Sequence, residues 1–158
     1  MQPRLMKLLT TSVLITACAA GPIAFAGPGR ADPAVASDPS VITSWNVIAA
    51  RTIFTENATP IPSSGLYFAF VSVAAYDAVV TIDGRYRPYL PQPRAHANAA
   101  PEVAAVTAAY LVLRHYFPGS ADNLTRDYEA SMARQPNGVA TVHGKRVGED
   151  AAAAVTLT

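Results

Sequence analysis

At 158 residues, the chain is long enough for one domain with a hydrophobic core. Apolar residues make up 51% of it and charged residues only 15%, and the alanine-rich composition favours packed helices over a sheet. A net charge of +1 excludes the strongly basic surface of a nucleic-acid-binding protein, and the single cysteine, Cys18, excludes an internal disulfide and a thiolate metal cluster.

Residues 1–26 have the pattern of a signal peptide. Arg4 and Lys7 supply its positive start, and an uncharged, largely apolar stretch follows them. Residues 24–26 (AFA) then form the small-x-small pattern that signal peptidase recognises, with cleavage before Gly27. The sequence therefore predicts export, to the periplasm, the cell envelope or the medium.

Residues 15–18 (ITAC) offer an alternative form of export. They resemble a bacterial lipobox, in which the cysteine, here Cys18, is lipidated and becomes the mature N-terminus. Both interpretations stay open, and a lipid on Cys18 would be the only contact with a membrane that the sequence predicts. In either case residues 27–40, rich in Gly, Pro, Ala, Asp and Ser, predict a flexible linker.

Two helices are predicted after the linker. Ser40 is expected to cap a helix that reaches about residue 55, and Ser64 one that covers residues 65–82. The second helix is apolar nearly all round, which indicates a central, buried position, and Asp77 is its one charged residue before the end. The side of the first helix that we expect to face the core comprises Val41, Ile42, Trp45, Ile48, Ala49 and Ile53.

Three further helices follow a loop over residues 84–100. They are predicted to begin at Pro101, after a capping Ser120, and near Val139. The pattern therefore predicts an all-α bundle fragment of about five helices over residues 41–158. The inward stripe of the third helix is Val103, Val106, Tyr110, Leu113 and Phe117.

The fifth predicted helix has one face of small residues and one charged face. The charges exclude a membrane-spanning helix here, while the small face allows a close neighbour. The helix is still running at Thr158 without a C-cap, so we expect the small face to pack on helices outside this chain. That face comprises Ala140, Gly144, Gly148, Ala151 and Val155.

The search for chemistry yields no catalytic, cofactor-binding or metal-binding residue. A nucleophile elbow, a Walker loop and a dinucleotide-binding fingerprint are all absent from the sequence. The histidines, His96, His115 and His143, lack the spacing of a zinc-binding helix and are interpreted as surface residues.

Asp77 is the most informative single residue. A carboxylate in a nearly all-apolar helix needs partners, so it is either an anchor for a loop or arginine, or a general acid or base. The anchor is the favoured interpretation. Arg85, Arg87 and Arg94 on the following loop could line an anion site, although a solvated loop is the simpler interpretation.

Several segments occur in an order that resembles one family, the bacterial vanadium-dependent haloperoxidase-like proteins of the type 2 phosphatidic acid phosphatase superfamily. The resemblance covers about residues 41–158 and the N-terminal half of the family. It carries Trp45, Tyr76 and Asp77 over as structural signature residues. The matching segments are residues 45–46 (WN), 75–79 (AYDAV), 82–89 (IDGRYRPY), 104–113 and 116–118 (YFP), with Gly144 and residues 147–148 and 151–152.

The resemblance implies an all-α bundle that holds vanadate or phosphate. The shared site of this family needs a Lys seven residues before an Arg-Pro, a Ser-Gly-His, and an Arg six residues before a His. None of these motifs occurs in this chain. The residue seven positions after Lys145 is Ala152 rather than an arginine, and the residue that follows Ser64 and Gly65 is Leu66 rather than a histidine. The resemblance therefore assigns vanadate to a full-length relative and no cofactor to this chain.

Two hypotheses about function follow. The first is an N-terminal fragment of an exported haloperoxidase-like protein, inactive alone, whose partner is the missing C-terminal half or another copy. The second is a small exported or lipid-anchored helical binding protein without enzymatic activity. An enzyme that uses Asp77 with the arginines of the loop is a third, less favoured interpretation.

Overall fold

The computed structural model describes residues 38–157. Within that range the chain forms five α-helices and no β-strand, and 74% of the residues are helical, so the predicted all-α class is confirmed. The predicted signal segment 1–26 with Cys18, residues 27–37 of the predicted linker, and Thr158 lie outside the described residues.

The first helix, α1 (Ser40–Ala50), begins at Ser40 and has Pro39, not Ser40, at its N-cap position. One Asp38 carboxylate oxygen accepts the backbone N–H of Ser40 at 2.9 Å, and the other accepts the Ser40 hydroxyl at 2.7 Å. The bond from the hydroxyl and the bond from the backbone N–H both lower the pKa of Asp38. The predicted cap is wrong because Ser40 already lies within the first turn, where its N–H needs an acceptor.

A π-helical segment, Arg51–Glu56, continues α1 without a break. Thr52 and Ile53 of this segment are buried. Asn57 closes it by donating its side-chain amide to the carbonyl of Thr52 at 2.8 Å. The predicted helical extent to about residue 55 is therefore correct, whereas the change of helix type has no signature in the sequence.

The second helix, α2 (Ile61–Asp83), starts earlier than the predicted residue 65. Pro62 lies in its first turn, where the missing N–H of proline is tolerated. The Ser64 hydroxyl donates to the carbonyl of Ile61 at 2.8 Å and does not cap the helix. The predicted end is correct, since Gly84 terminates α2 in the left-handed conformation at φ 72°.

The third helix, α3 (Pro101–Tyr116), is the central one. Every residue from 103 to 110 is buried, and α3 packs against each of the other four α-helices described. The prediction that α2 is central is wrong, because α2 leaves Leu66 and Tyr76 exposed. Small side chains let α3 have neighbours on several sides: Ala104, Ala105, Ala108 and Ala109.

The fourth helix, α4 (Ala121–Met132), follows a 3-10 turn, Pro118–Ser120. Ser120 stands at the N-cap position of α4 as predicted, but its hydroxyl makes no capping bond there and instead accepts the side-chain amide of Asn57 at 2.9 Å. Trp45 of α1 donates its indole N–H to the hydroxyl of Ser131 at 3.3 Å. This bond ties α1 to α4 within the buried interior.

The fifth helix, α5 (Val139–Thr156), packs on α3 through the predicted small face. A Cβ atom built at Gly144 would lie 2.6 Å from the carbonyl oxygen of Ala100, and one built at Gly148 would lie 2.5 Å from that of Ala104. The two helices therefore approach backbone to backbone. The expectation that this face packs on helices outside the chain is wrong, because α3 covers it.

Candidate functional site

Asp77 fastens the loop over residues 84–100 to α2. Its side chain is fully buried, one carboxylate oxygen accepts the backbone N–H of Tyr89 at 2.7 Å, and the other accepts that of Leu90 at 2.9 Å. Two charge-assisted bonds from the main chain compensate the burial of the carboxylate. Of the two roles that the sequence left open, this arrangement is that of the anchor.

The arginines of the loop do not gather around Asp77. Arg85 pairs with Asp83, with its Nε 2.8 Å from a carboxylate oxygen, and this hydrogen bond raises the pKa of Arg85 and lowers that of Asp83. Arg87 is exposed on the loop, and Arg94 lines a separate pocket beside α5. The arrangement gives no support to a catalytic Asp77 assisted by arginine.

An apolar cleft opens between α1 and α2, and α3 forms its floor. Its volume is about 270 Å³, which is below the roughly 300–1,000 Å³ of typical small-molecule sites. A cleft of this size is suited to side chains of a partner better than to a drug-sized ligand. Its main lining residues are Ile42, Trp45, Val71, Tyr76, Ala105 and Ala109.

Trp45 and Tyr76, two of the three signature residues, are the large side chains of the cleft. Trp45 is 3% exposed and is held by its bond to Ser131, whereas Tyr76 is 39% exposed. The Tyr76 ring lies 5.2 Å from the ring of Tyr89, and its hydroxyl donates to the carbonyl of Arg87 at 3.4 Å. The loop that Asp77 anchors therefore also positions one wall of the cleft.

The surface around the cleft carries apolar side chains, and its two helices expose no charge before Asp83 at the end of α2. No charged residue occurs in α1, and Asp77, the only one in α2 before Asp83, is buried. Soluble surfaces normally intersperse charges, so such a face is typical of a surface that is covered by a partner. We define the α1–α2 face by the exposed large apolar side chains of α1, α2 and the π segment between them, which are Ile42, Val47, Phe54, Ile61, Leu66 and Tyr76.

The prediction that Ile42 faces the core is wrong, since it is 41% exposed at the edge of the cleft. By length and composition alone, α2 is also the one described helix that is apolar enough to cross a membrane. Core helices of soluble proteins share this property, so it does not decide between a protein partner and a lipid.

A polar network joins the π segment to α4. An Arg51 guanidinium nitrogen lies 2.5 Å from Asp127 and its Nε 2.8 Å from Glu56, and the bond to Asp127 is the main cause of the raised pKa of Arg51. Burial works to raise the pKa of Glu56, but hydrogen bonds from Ser120 and Asn123 and the charge of Arg51 outweigh it and lower that pKa. At neutral pH the network holds the π segment to α4.

Two histidines that are far apart in the sequence lie together in space. The rings of His96 and His143 stack at 3.9 Å and 11°, and His143 Nδ1 lies 2.9 Å from the side-chain oxygen of Asn98. His115 is exposed and packs edge-on against Tyr116, as a surface histidine would. No local pattern predicted the His96–His143 pair, because the loop and α5 are brought together by the packing of α5 on α3.

Metal-ligating side chains do not cluster in the described part of the chain: no three or more His, Cys, Asp or Glu residues could hold an ion there. Comparison with protein-family models, with curated proteins and with solved structures gives no match. The resemblance to vanadium-dependent haloperoxidase-like proteins therefore stays a prediction.

Proposed function

We propose that this chain is a non-catalytic helical component of an exported vanadium-dependent haloperoxidase-like protein, and that its α1–α2 face binds further helices. The observation that supports this is an apolar cleft in a surface whose two helices expose no charge before Asp83 at the end of α2. Apolar side chains of a partner helix would enter the cleft beside Trp45 and Tyr76, which are also the residues on which the resemblance rests.

In this proposal no residue of this chain holds vanadate. The lysine, arginine and histidine motifs of the family's oxyanion site are missing from the sequence, so no residue here is assigned to hold it. In this proposal the oxyanion site belongs to the helices that cover the α1–α2 face, and this chain supplies packing.

The gene and its transcript beyond the codon for Thr158 test this proposal. We expect helices with Lys-x6-Arg-Pro, Ser-Gly-His and Arg-x5-His, in this frame or a shifted one. The longer product should oxidise bromide with hydrogen peroxide and vanadate, or hydrolyse a phosphomonoester, while residues 1–158 alone do neither. A stop codon followed by unrelated sequence would contradict the proposal for this molecule.

A small exported helical binding protein is the second candidate. It is favoured by the packing of α5, whose small face is already covered by α3, so that the five helices share a core without another chain. A monomeric chain with a single cooperative unfolding transition in urea would support this candidate. Association into larger species through the α1–α2 face would support the first.

Export is part of both candidates, and the mature N-terminus tests it. Mass spectrometry of the chain expressed in a bacterium should show either an N-terminus at Gly27 or a diacylglyceryl-modified Cys18. Cys18→Ala should leave the first form unchanged and abolish the second. An intact Met1 in the cytoplasmic fraction would contradict export.

A further inference from the structure

The exposed residues in the middle of α2 form one continuous stripe along the helix. They recur at intervals of three and four positions, which is the spacing by which one helix packs along another. None of them is charged, so a second helix can cover them without burying a charge. We define the α2 stripe by these residues, which are Gly65, Leu66, Ala69, Ser72 and Tyr76.

The α2 stripe has a shallow half and a projecting half. Gly65 and Ala69 carry at most one side-chain carbon, and a Cβ atom built at Gly65 would meet no other atom within 4 Å. Two turns after Ala69, the ring of Tyr76 is 39% exposed. Its contact with the ring of Tyr89 at 5.2 Å and its hydrogen bond to the carbonyl of Arg87 hold this ring in place. The projection is therefore fixed before any partner binds.

Two copies of the α2 stripe fit each other when the helices lie antiparallel. A two-fold axis near Ser72 places Tyr76 of each copy level with the residues from Gly65 to Ala69 of the other, so each ring meets a surface of small residues. In a parallel pair, Tyr76 would meet its own equivalent, and the two shallow halves would leave a gap without contacts. A surface whose one half fits its other half is what a two-fold interface between identical chains requires.

The charges at the two ends of α2 agree with the same orientation. Asp83, the one charged residue that α2 exposes, is at its C-terminal end, whereas the first turn of the helix has no acidic residue and no side-chain cap. The antiparallel arrangement brings Asp83 of each copy to the first turn of α2 in the other, where the helix dipole favours a negative charge. Asp83 also pairs with Arg85 of its own chain, and a carboxylate can accept further hydrogen bonds beside that pair.

We propose that a second copy of this chain covers the α2 stripe, with the two α2 helices antiparallel about a two-fold axis near Ser72. This rests on the proposed binding of helices at the α1–α2 face, and it names the occupant of that face when residues 1–158 are alone. A single helix pair is a small interface, because α2 is only about 34 Å long. The dimer should therefore be weak, with a Kd roughly in the micromolar range.

Ala69→Leu tests the fit, because it makes the α2 stripe more apolar but fills the place that the ring of Tyr76 from the other copy needs. In sedimentation velocity of the full chain, it should raise the Kd of the dimer about tenfold. Ala130→Leu, at an exposed alanine of α4, is the matched control and should leave the Kd unchanged. Because both alanines are exposed, both variants should unfold in urea like the unmodified chain. Association of Ala69→Leu as tight as that of the unmodified chain, or tighter, would overturn the proposal.

Cross-linking reports the orientation of the helices, with Cys18→Ala as the background and a bismaleimide that spans about the 8–10 Å between packed helices. Ser72→Cys, close to the axis, should be cross-linked into dimers. Ser63→Cys, at another exposed serine of α2, should not, because its two copies would lie roughly 27 Å apart along the helices. Equal cross-linking of Ser63→Cys and Ser72→Cys would indicate parallel helices and would contradict the proposal.

Two outcomes separate this arrangement from the proposed function. If Leu66→Lys abolishes association and Ala69→Leu does not, the α1–α2 face still binds helices, but the antiparallel pair is wrong. If the unmodified chain stays monomeric at all concentrations while the gene encodes the oxyanion motifs beyond Thr158, the second copy is wrong and the proposed function stands.

Discussion

The carboxylate of Asp77 determines the path of the loop that follows α2. It lies six residues before the end of α2 at Asp83, and it accepts the backbone N–H groups of Tyr89 and Leu90. The ring of Tyr89 in turn packs on Tyr76 at the apolar cleft. One buried charge therefore orders a loop that has no regular secondary structure of its own.

Asp77→Asn is expected to loosen this loop. An asparagine has one acceptor oxygen, so its amide would face a backbone N–H, and one buried donor would lose its partner. The free energy of unfolding in urea should fall by about 1–3 kcal/mol. Limited proteolysis by trypsin should also cut faster after Arg94. Glu129→Gln, at an exposed site on α4, is the control, and equal stability of both variants would exclude the anchor role.

Whether the contacts of a single residue can be predicted from the sequence depends on how far along the chain its partners lie. The sequence predicted that Asp77 has hydrogen-bond partners, because a buried carboxylate requires them. It could not identify Tyr89 and Leu90 as those partners, because the backbone of the loop follows no periodic pattern. The His96–His143 pair was out of reach, since it depends on how α5 lies on α3 and on no local pattern.

The positions of the helices along the chain were predictable from glycine, proline and the spacing of apolar residues, whereas the contacts between helices were not. The end of α2 at Gly84 and the start of α3 at Pro101 follow from backbone chemistry. The small face of α5 was also evident, but its partner was assigned to helices outside the chain. The sequence could not show that α3, itself rich in alanine, supplies the matching surface.

Gly148→Ala should push α3 and α5 further apart and destabilise the fold. The added Cβ would lie 2.5 Å from the carbonyl oxygen of Ala104 and 2.7 Å from the Cβ of Thr107, so backbone must move. Although alanine gains up to about 1 kcal/mol in a helix, overpacking should prevail and lower the free energy of unfolding by roughly 1–3 kcal/mol. Gly65→Ala, which meets no atom within 4 Å, should instead stabilise the chain. A stabilised Gly148→Ala would show that the helices are further apart in solution.

The distribution of charge over the whole described molecule is uneven. Charged residues lie on α4, on the loop and on one side of α5, while α1 and most of α2 expose none. A core built around α3 explains why α5 and α4 are covered on their inner sides. It leaves the α1–α2 face as the surface on which a partner would bury most apolar area.

Leu66→Lys should weaken association through that face. Leu66 is 53% exposed, so a lysine there should change the free energy of unfolding by no more than about 0.5 kcal/mol. It would nevertheless place a charge where a partner must exclude water. In sedimentation velocity, the unmodified chain should therefore form larger species at high concentration, more so with added sulfate, and Leu66→Lys should remain monomeric.

Val142→Lys is the matched control for this prediction, because Val142 is 64% exposed but lies on α5 beside charged residues. It should associate like the unmodified chain. Loss of association in both variants would mean that added positive charge alone keeps the chains apart. Equal association in all three proteins would mean that the α1–α2 face is not the contact surface, and it would contradict the binding role proposed for that face.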